Sequence, residues 1–133
     1  MYTIKRQKQI KEQLQICNPD GTEAMVLDVD LNVDEVTNRV SKAWDALGAA
    51  QIELQKSPDD PRDMDAYGRA VIAVFDVIFG PDNSKKLLEF YEGHYSEMLL
   101  DVFPFLTNVV MPQIRDASNA RKEQLLEAAK KMK

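Results

Sequence analysis

The chain is poor in the residues that usually carry chemistry. It has 133 residues, with one cysteine, Cys17, and one histidine, His94. A lone thiol excludes an internal disulfide and fits a reducing compartment. A lone His excludes the paired Glu-x-x-His motifs of a di-metal carboxylate bundle. The five glycines are scattered, so no glycine-rich phosphate loop exists. Gly21, Gly80 and Gly93 fall where turns or helix ends need them. No apolar run approaches the ~20 residues that span a bilayer, and the longest, Val71–Phe79, is interrupted by Asp76. The opening MYTIKRQKQIKEQ lacks the apolar core of a signal peptide. A soluble cytoplasmic protein, without membrane contact, is the expectation.

Charge narrows the partners further. The net charge of -5 and the pI of about 4.9 oppose general affinity for phosphate backbones or anionic lipid. The end of the chain is locally basic, through Arg115, Arg121, Lys122, Lys130, Lys131 and Lys133. It has no interleaved aromatics, and Glu123 and Glu127 dilute it, so a solvated helix face is expected there rather than a nucleic-acid site.

What the chain does have is aromatic packing material. Eight of its aromatic residues lie between Tyr67 and Phe105, and aromatics dominate cores and interfaces. The length suits one domain, 1–133, able to bury roughly 70% of its unfolded surface.

Two period-2 runs open the chain. Ile10, Leu14 and Ile16 alternate with polar residues, although Glu12 interrupts the apolar side. Met25, Leu27, Val29 and Leu31 then alternate with Ala24, Val26, Asp28 and Asp30. Between them Asn18-Pro19-Asp20-Gly21 offers a fixed φ at Pro and a permitted positive φ at Gly. A β-hairpin with one buried face follows, within 1–31.

The period then becomes 3.6. Val33, Val36, Val40, Ala43, Trp44, Leu47, Ala50 and Leu54 form one helical stripe, which places Trp44 in the core. Asn32 or Asp34 caps its start, and Ser57-Pro58-Asp59-Asp60-Pro61 stops it. A second helix carries Met64, Tyr67, Val71, Val74, Phe75 and Ile78 and ends at Phe79-Gly80-Pro81. A short helix from about Ser84 ends at Gly93. A long helical stretch from about Tyr95 follows, with a kink or break expected near Pro104 and Pro112. The fold class is therefore α+β, mainly α: a two-stranded hairpin, then four to five helices, with a helical core over 32–112. Beyond Ile114 the apolar stripe thins, so 113–133 is expected to be a loosely anchored helix, secured by a partner or frayed.

Four groupings test for chemistry. Asp28-Val-Asp30-Leu-Asn32-Val-Asp34 opens like a calcium loop, but Val33 and Arg39 stand where Gly and the bidentate Glu are required. Asp59, Asp60, Asp63 and Asp65 sit where a helix dipole favours carboxylates. His94, Glu97 and Asp101 can share a helix face, yet a solvent-facing cap is the simpler role for His94. Cys17 is expected to be a buried structural thiol. No catalytic, cofactor or metal residue is expected. The exposed end of the last helix supplies the partner-binding candidates: Ile114, Arg121, Leu125, Leu126 and Met132.

The block FDVIFGPDNSKKLLEFYEGHYSEMLLDVFPF, followed by MPQIRDASNARKEQL, resembles the tail assembly chaperones of long-tailed phages and prophages of Gram-positive bacteria. The likeness covers Val71 to Leu126, and its most specific parts are Phe79-Gly80, Lys86-Leu87, Phe90-Tyr91-Glu92-Gly93, and Pro104-Phe105 with Pro112. The resemblance implies a non-enzymatic helper in the bacterial cytoplasm. Such a helper binds the tape measure protein, keeps it soluble, recruits tail-tube subunits and self-associates. A structural tail or head–tail joining protein retained in the virion is the alternative.

Overall fold

The structure is a computed structural model describing residues 1–6 and 9–132. Gln7 and Lys8 of the amino-terminal segment, and Lys133 of the basic tail, lie outside the described residues. Strand β1 (Ile10–Cys17) pairs antiparallel with β2 (Glu23–Leu31), from Ile10 opposite Leu31 to Ile16 opposite Met25. Helices α1 (Val33–Lys56), α2 (Pro61–Phe79), α3 (Pro81–Phe90) and α4 (Tyr95–Phe105) follow. A π-helical turn (Leu106–Val110) joins α4 to α5 (Met111–Lys131).

The hairpin turn is built as its residues dictate. Gly21 has φ of 90°, and its N–H donates to the Asn18 carbonyl at 2.8 Å. Asp20 Oδ1 accepts from the Thr22 N–H at 2.9 Å and its hydroxyl at 2.6 Å. These two bonds hold the exposed Asp20 carboxyl below its ordinary pKa. The strand alternation is as expected, with Ile10, Ile16, Leu27, Val29 and Leu31 buried and Asp28 and Asp30 outside. Glu12, the interruption, is half-buried on the inner face. There it accepts from Gln113 Nε2 at 2.8 Å, and the same amide donates to the Val109 carbonyl at 3.0 Å. A buried polar group with a partner costs little, so the break in the pattern is a tie to the last helix.

Asn32 is the α1 cap: its Oδ1 accepts from Asp34 N at 2.9 Å and Glu35 N at 3.4 Å, a contribution of about 1 kcal/mol. Asp60 caps α2 by accepting from Arg62 N at 2.9 Å. Asp65 pairs with Arg69 one turn on. Gly80 ends α2 with φ of 87° and also heads α3, so α3 starts at Pro81, one turn before the expected Ser84. Pro supplies a first-turn φ and lacks a donor that would be unbonded there anyway.

Helix α2 is the centre of the packing, with β2, α1, α3 and α4 against it. Val71, Val74, Phe75, Ile78 and Phe79 are all buried. Rings continue outward, with Phe75 to Phe79 at 5.7 Å and Phe79 to Phe105 at 6.2 Å. At Gly68 the Tyr95 ring lies so close that an added Cβ would meet it at 3.0 Å. Tyr95 Oη donates to the Met64 carbonyl at 3.2 Å, so the missing side chain seats the ring.

Neither proline breaks the last helical path. Pro104 sits on the exposed side of α4. Pro112 falls in the first turn of α5. Between them the backbone widens: Met111 N–H donates five residues back, to the Leu106 carbonyl. A π turn absorbs the disturbance within a continuous helix, so of the kink or break expected near the prolines, no break occurs.

Trp44 is half-buried, a correction to its expected place in the core. Its ring stacks on Phe103 at 5.9 Å and 12°, and Phe103 is itself 39% exposed. The pair sits at the rim between α1 and α4. Replacing Phe75 by Ala should cost about 3–5 kcal/mol, whereas Trp44→Ala should cost about 2 kcal/mol, the stacking and half the burial. Urea unfolding of the two variants checks the order.

Candidate interaction surface

Helix α5 has an anchored half and an unanchored half. Ile114 is buried in the chain's own core at 4% exposure, which corrects its expected place on a partner surface. The step from Val110 to Ile114 is one helical turn, so the core stripe extends past Pro112. Next along, Ser118 shares a hydrogen bond of 2.9 Å with Thr37 of α1. Arg121 makes an ion pair with Asp34. Contacts 37 to 118 and 34 to 121 run in opposite directions, so α1 and α5 are antiparallel here. Exposed ion pairs contribute under about 1 kcal/mol, so Ile114 outweighs Arg121 in holding α5.

Because α1 begins at Val33, α5 then outruns it. Every residue from Lys122 to Met132 is exposed, including Leu125 at 63%, Leu126 at 55% and Met132 at 87%. Leu125 and Leu126 line a groove with Val33, Thr37, Ser118 and Lys122. Three of the predicted residues, Arg121, Leu125 and Leu126, thus come together in the groove's lining, and Met132 is not among them. An apolar trough between two antiparallel helices accommodates the apolar face of a third.

Compared with protein-family models, curated proteins and solved structures, the chain has no match.

A second concavity gathers the chemistry-bearing residues. Cys17 and the hairpin turn form one side, and Tyr91, His94, Glu97 and Asp101 the other. Cys17 is exposed, which overturns its expected burial. Odd positions of β1 face outward, and the register shifts between Ile16 and Cys17. His94 precedes α4 at its cap position, solvent-facing as expected, but its side chain makes no capping bond. Glu92 and Gly93, with φ of 56° and 80°, turn the chain so that α4 brings Asp101 back to Tyr91. Tyr91 Oη donates to Asp101 Oδ2 at 2.9 Å. Among the described residues no group of three His, Cys, Asp or Glu side chains is placed to hold a metal ion. The former calcium-like run is divided among other duties: Asp28 accepts from Gln13 at 2.8 Å, Asn32 caps α1, and Asp34 pairs with Arg121.

Sequence reasoning missed Tyr91, which reads simply as an apolar position of α3. Its hydroxyl, ten residues from Asp101, gives no short-range signal. It also missed the exposed Leu100, at 73%, beside the Trp44–Phe103 stack's helix face. Leu100 falls one residue after the buried pair Met98 and Leu99, off their stripe, and that spacing was the available clue.

Burial, followed by the bond to Asp101 and its charge, pushes the Tyr91 hydroxyl well above its ordinary pKa of about 10. The folded chain therefore keeps a proton that the unfolded chain releases. Stability from this group is complete below about pH 10 and declines as pH rises toward the raised value. Above pH 10 the parent should lose stability more steeply than Tyr91→Phe. Denaturant midpoints of both proteins across that range give the comparison.

Proposed function

We propose that the chain is a non-enzymatic assembly chaperone acting in the bacterial cytoplasm. Its client is the long helical tape measure protein, which it keeps soluble while tail-tube subunits are recruited. The exposed end of α5 is the observation that carries this reading. A helix end that leaves three large apolar side chains exposed is marginal alone, and a client helix laid along it buries them. The groove shared with α1 supplies the second wall. The choice of client rests on the resemblance of Val71–Leu126 to phage tail assembly chaperones. None of the helices among the described residues is long and apolar enough to cross a membrane.

The surface also defines where to cut. Truncation after Pro112 would remove Gln113 and Ile114 and open the core, so a cut after Lys122 is the informative one. Leu125→Asp with Leu126→Asp should leave the unfolding free energy within about 0.5 kcal/mol of the parent. It should weaken client binding by roughly tenfold or more. Co-expression with the tape measure protein, affinity purification and size-exclusion chromatography with light scattering read both. Co-elution that depends on Leu125 and Leu126 supports the chaperone. No association, with this chain found instead in mature particles, would favour a structural tail or head–tail joining protein.

A further inference from the structure

A two-stranded sheet leaves an outer edge on each strand, and β1 and β2 pair only with one another among the described residues. Along β2 runs a groove distinct from the one at α5. One wall is four consecutive strand residues, Ala24 to Leu27, and the other is the face of α3 with Lys86, Glu89 and Phe90. A trough between a strand edge and a helix suits an extended segment. Such a segment bonds to the strand's backbone and places alternate side chains against each wall.

The chain carries a segment of that pattern. Residues 1–6 are neither helix nor strand. Met1 is fully exposed, Tyr2 is 90% exposed and Ile4 is 85% exposed. Tyr, Thr and Ile are strand formers. Charge separates this arm from the body: residues 1–11 hold four basic and no acidic side chains, whereas 12–114 hold seven basic and nineteen acidic. Opposite charge steers association and sets register.

The period of two fixes how the arm would lie. With Tyr2 and Ile4 turned to the side that holds Met25, Leu27 and Phe90, Thr3 and Lys5 share the outer side with Val26 and Asp28. A cation then meets a carboxylate where the apolar residues meet half-buried Met25 and Phe90. We propose that the β2–α3 groove is a strand-acceptor site, and that its occupant is residues 1–6 of a second copy of this chain. The arm leaves its own hairpin at Ile10, opposite Leu31, the end of β2 remote from Ala24. A neighbouring copy delivers it along the groove without threading past its own sheet. The contact is heterologous, arm of one copy to groove of the next.

The test uses the full chain. Light scattering after size exclusion, over a wide concentration range, should show mass rising above the monomer. Tyr2→Asp with Ile4→Asp should weaken that assembly roughly tenfold or more while leaving the circular dichroism, and the unfolding midpoint at dilutions where the parent is monomeric, unchanged, because both side chains are in water in the single chain. Two further proteins, each carrying Cys17→Ser, bear either Thr3→Cys or Val26→Cys. Mixed and oxidised, they should form a disulfide between the two different chains. Three results would each overturn the proposal: a parent that is monomeric throughout, an assembly indifferent to the double substitution, or no mixed disulfide.

Discussion

The apolar face of the hairpin packs on α2, and the rest of the fold is arranged around that contact. A two-stranded sheet is marginal in water, since one face alone cannot bury enough surface to offset chain ordering. Here Leu27, Val29 and Leu31 are covered, and the α2 side chains Val71, Val74, Phe75 and Ile78 are buried in the same core. With one side of α2 taken by the sheet, α1, α3 and α4 occupy its remaining sides. Both ends of α2 are closed by turns with local causes, Asp60-Pro61 before it and Gly80-Pro81 after it. The packing order therefore follows from one central helix with short connections.

The last helical path serves the core first and the surface afterwards. Met98, Leu99, Val102, Leu106, Val110 and Ile114 bury one side of it. The π turn adds a residue to the ladder between two prolines and keeps the path continuous, so Gln113 reaches Glu12 of β1. Past Arg121 helix α5 faces the opening turns of α1 across the groove and then outruns it, because α1 starts at Val33. The unanchored end of α5 is thus a consequence of unequal helix lengths, which leaves Leu125, Leu126 and Met132 in water.

Much of this was legible in the residues. Alternation placed both strands, the Pro-Asp-Gly turn placed the bend, and Asn32, Asp60 and Gly80 marked helix ends by local chemistry acting within four residues. The stripe thins after Ile114, and the residues from Lys122 to Met132 are exposed. Four residues were read wrongly or incompletely, three of them because a distant element decides their surroundings. Glu12 looked like a defect until Gln113 came to it across the chain. Trp44 fits its helix stripe, yet α4 meets that stripe at its rim. Ile114 was assigned to the surface because periodicity does not say where a neighbouring helix ends. Cys17 was assigned to the core from its residue type, against the parity of its own strand.

The sequence by itself determined the element types, their order and the inward face of each. These depend on backbone dihedrals, capping and periodicity, all of them short-range. Only the tertiary structure decided which apolar residues are covered and which are left outside. Burial depends on where the partner element stops, and neither the N-terminus of α1 nor the rim of α4 is written in the residues of α5 or Trp44. The same holds for the meeting of Cys17, Tyr91, His94 and Asp101 around one cleft. Cys17 is 74 residues before Tyr91 in the chain, and the turn at Glu92 and Gly93, set against the hairpin, brings it together with the other three.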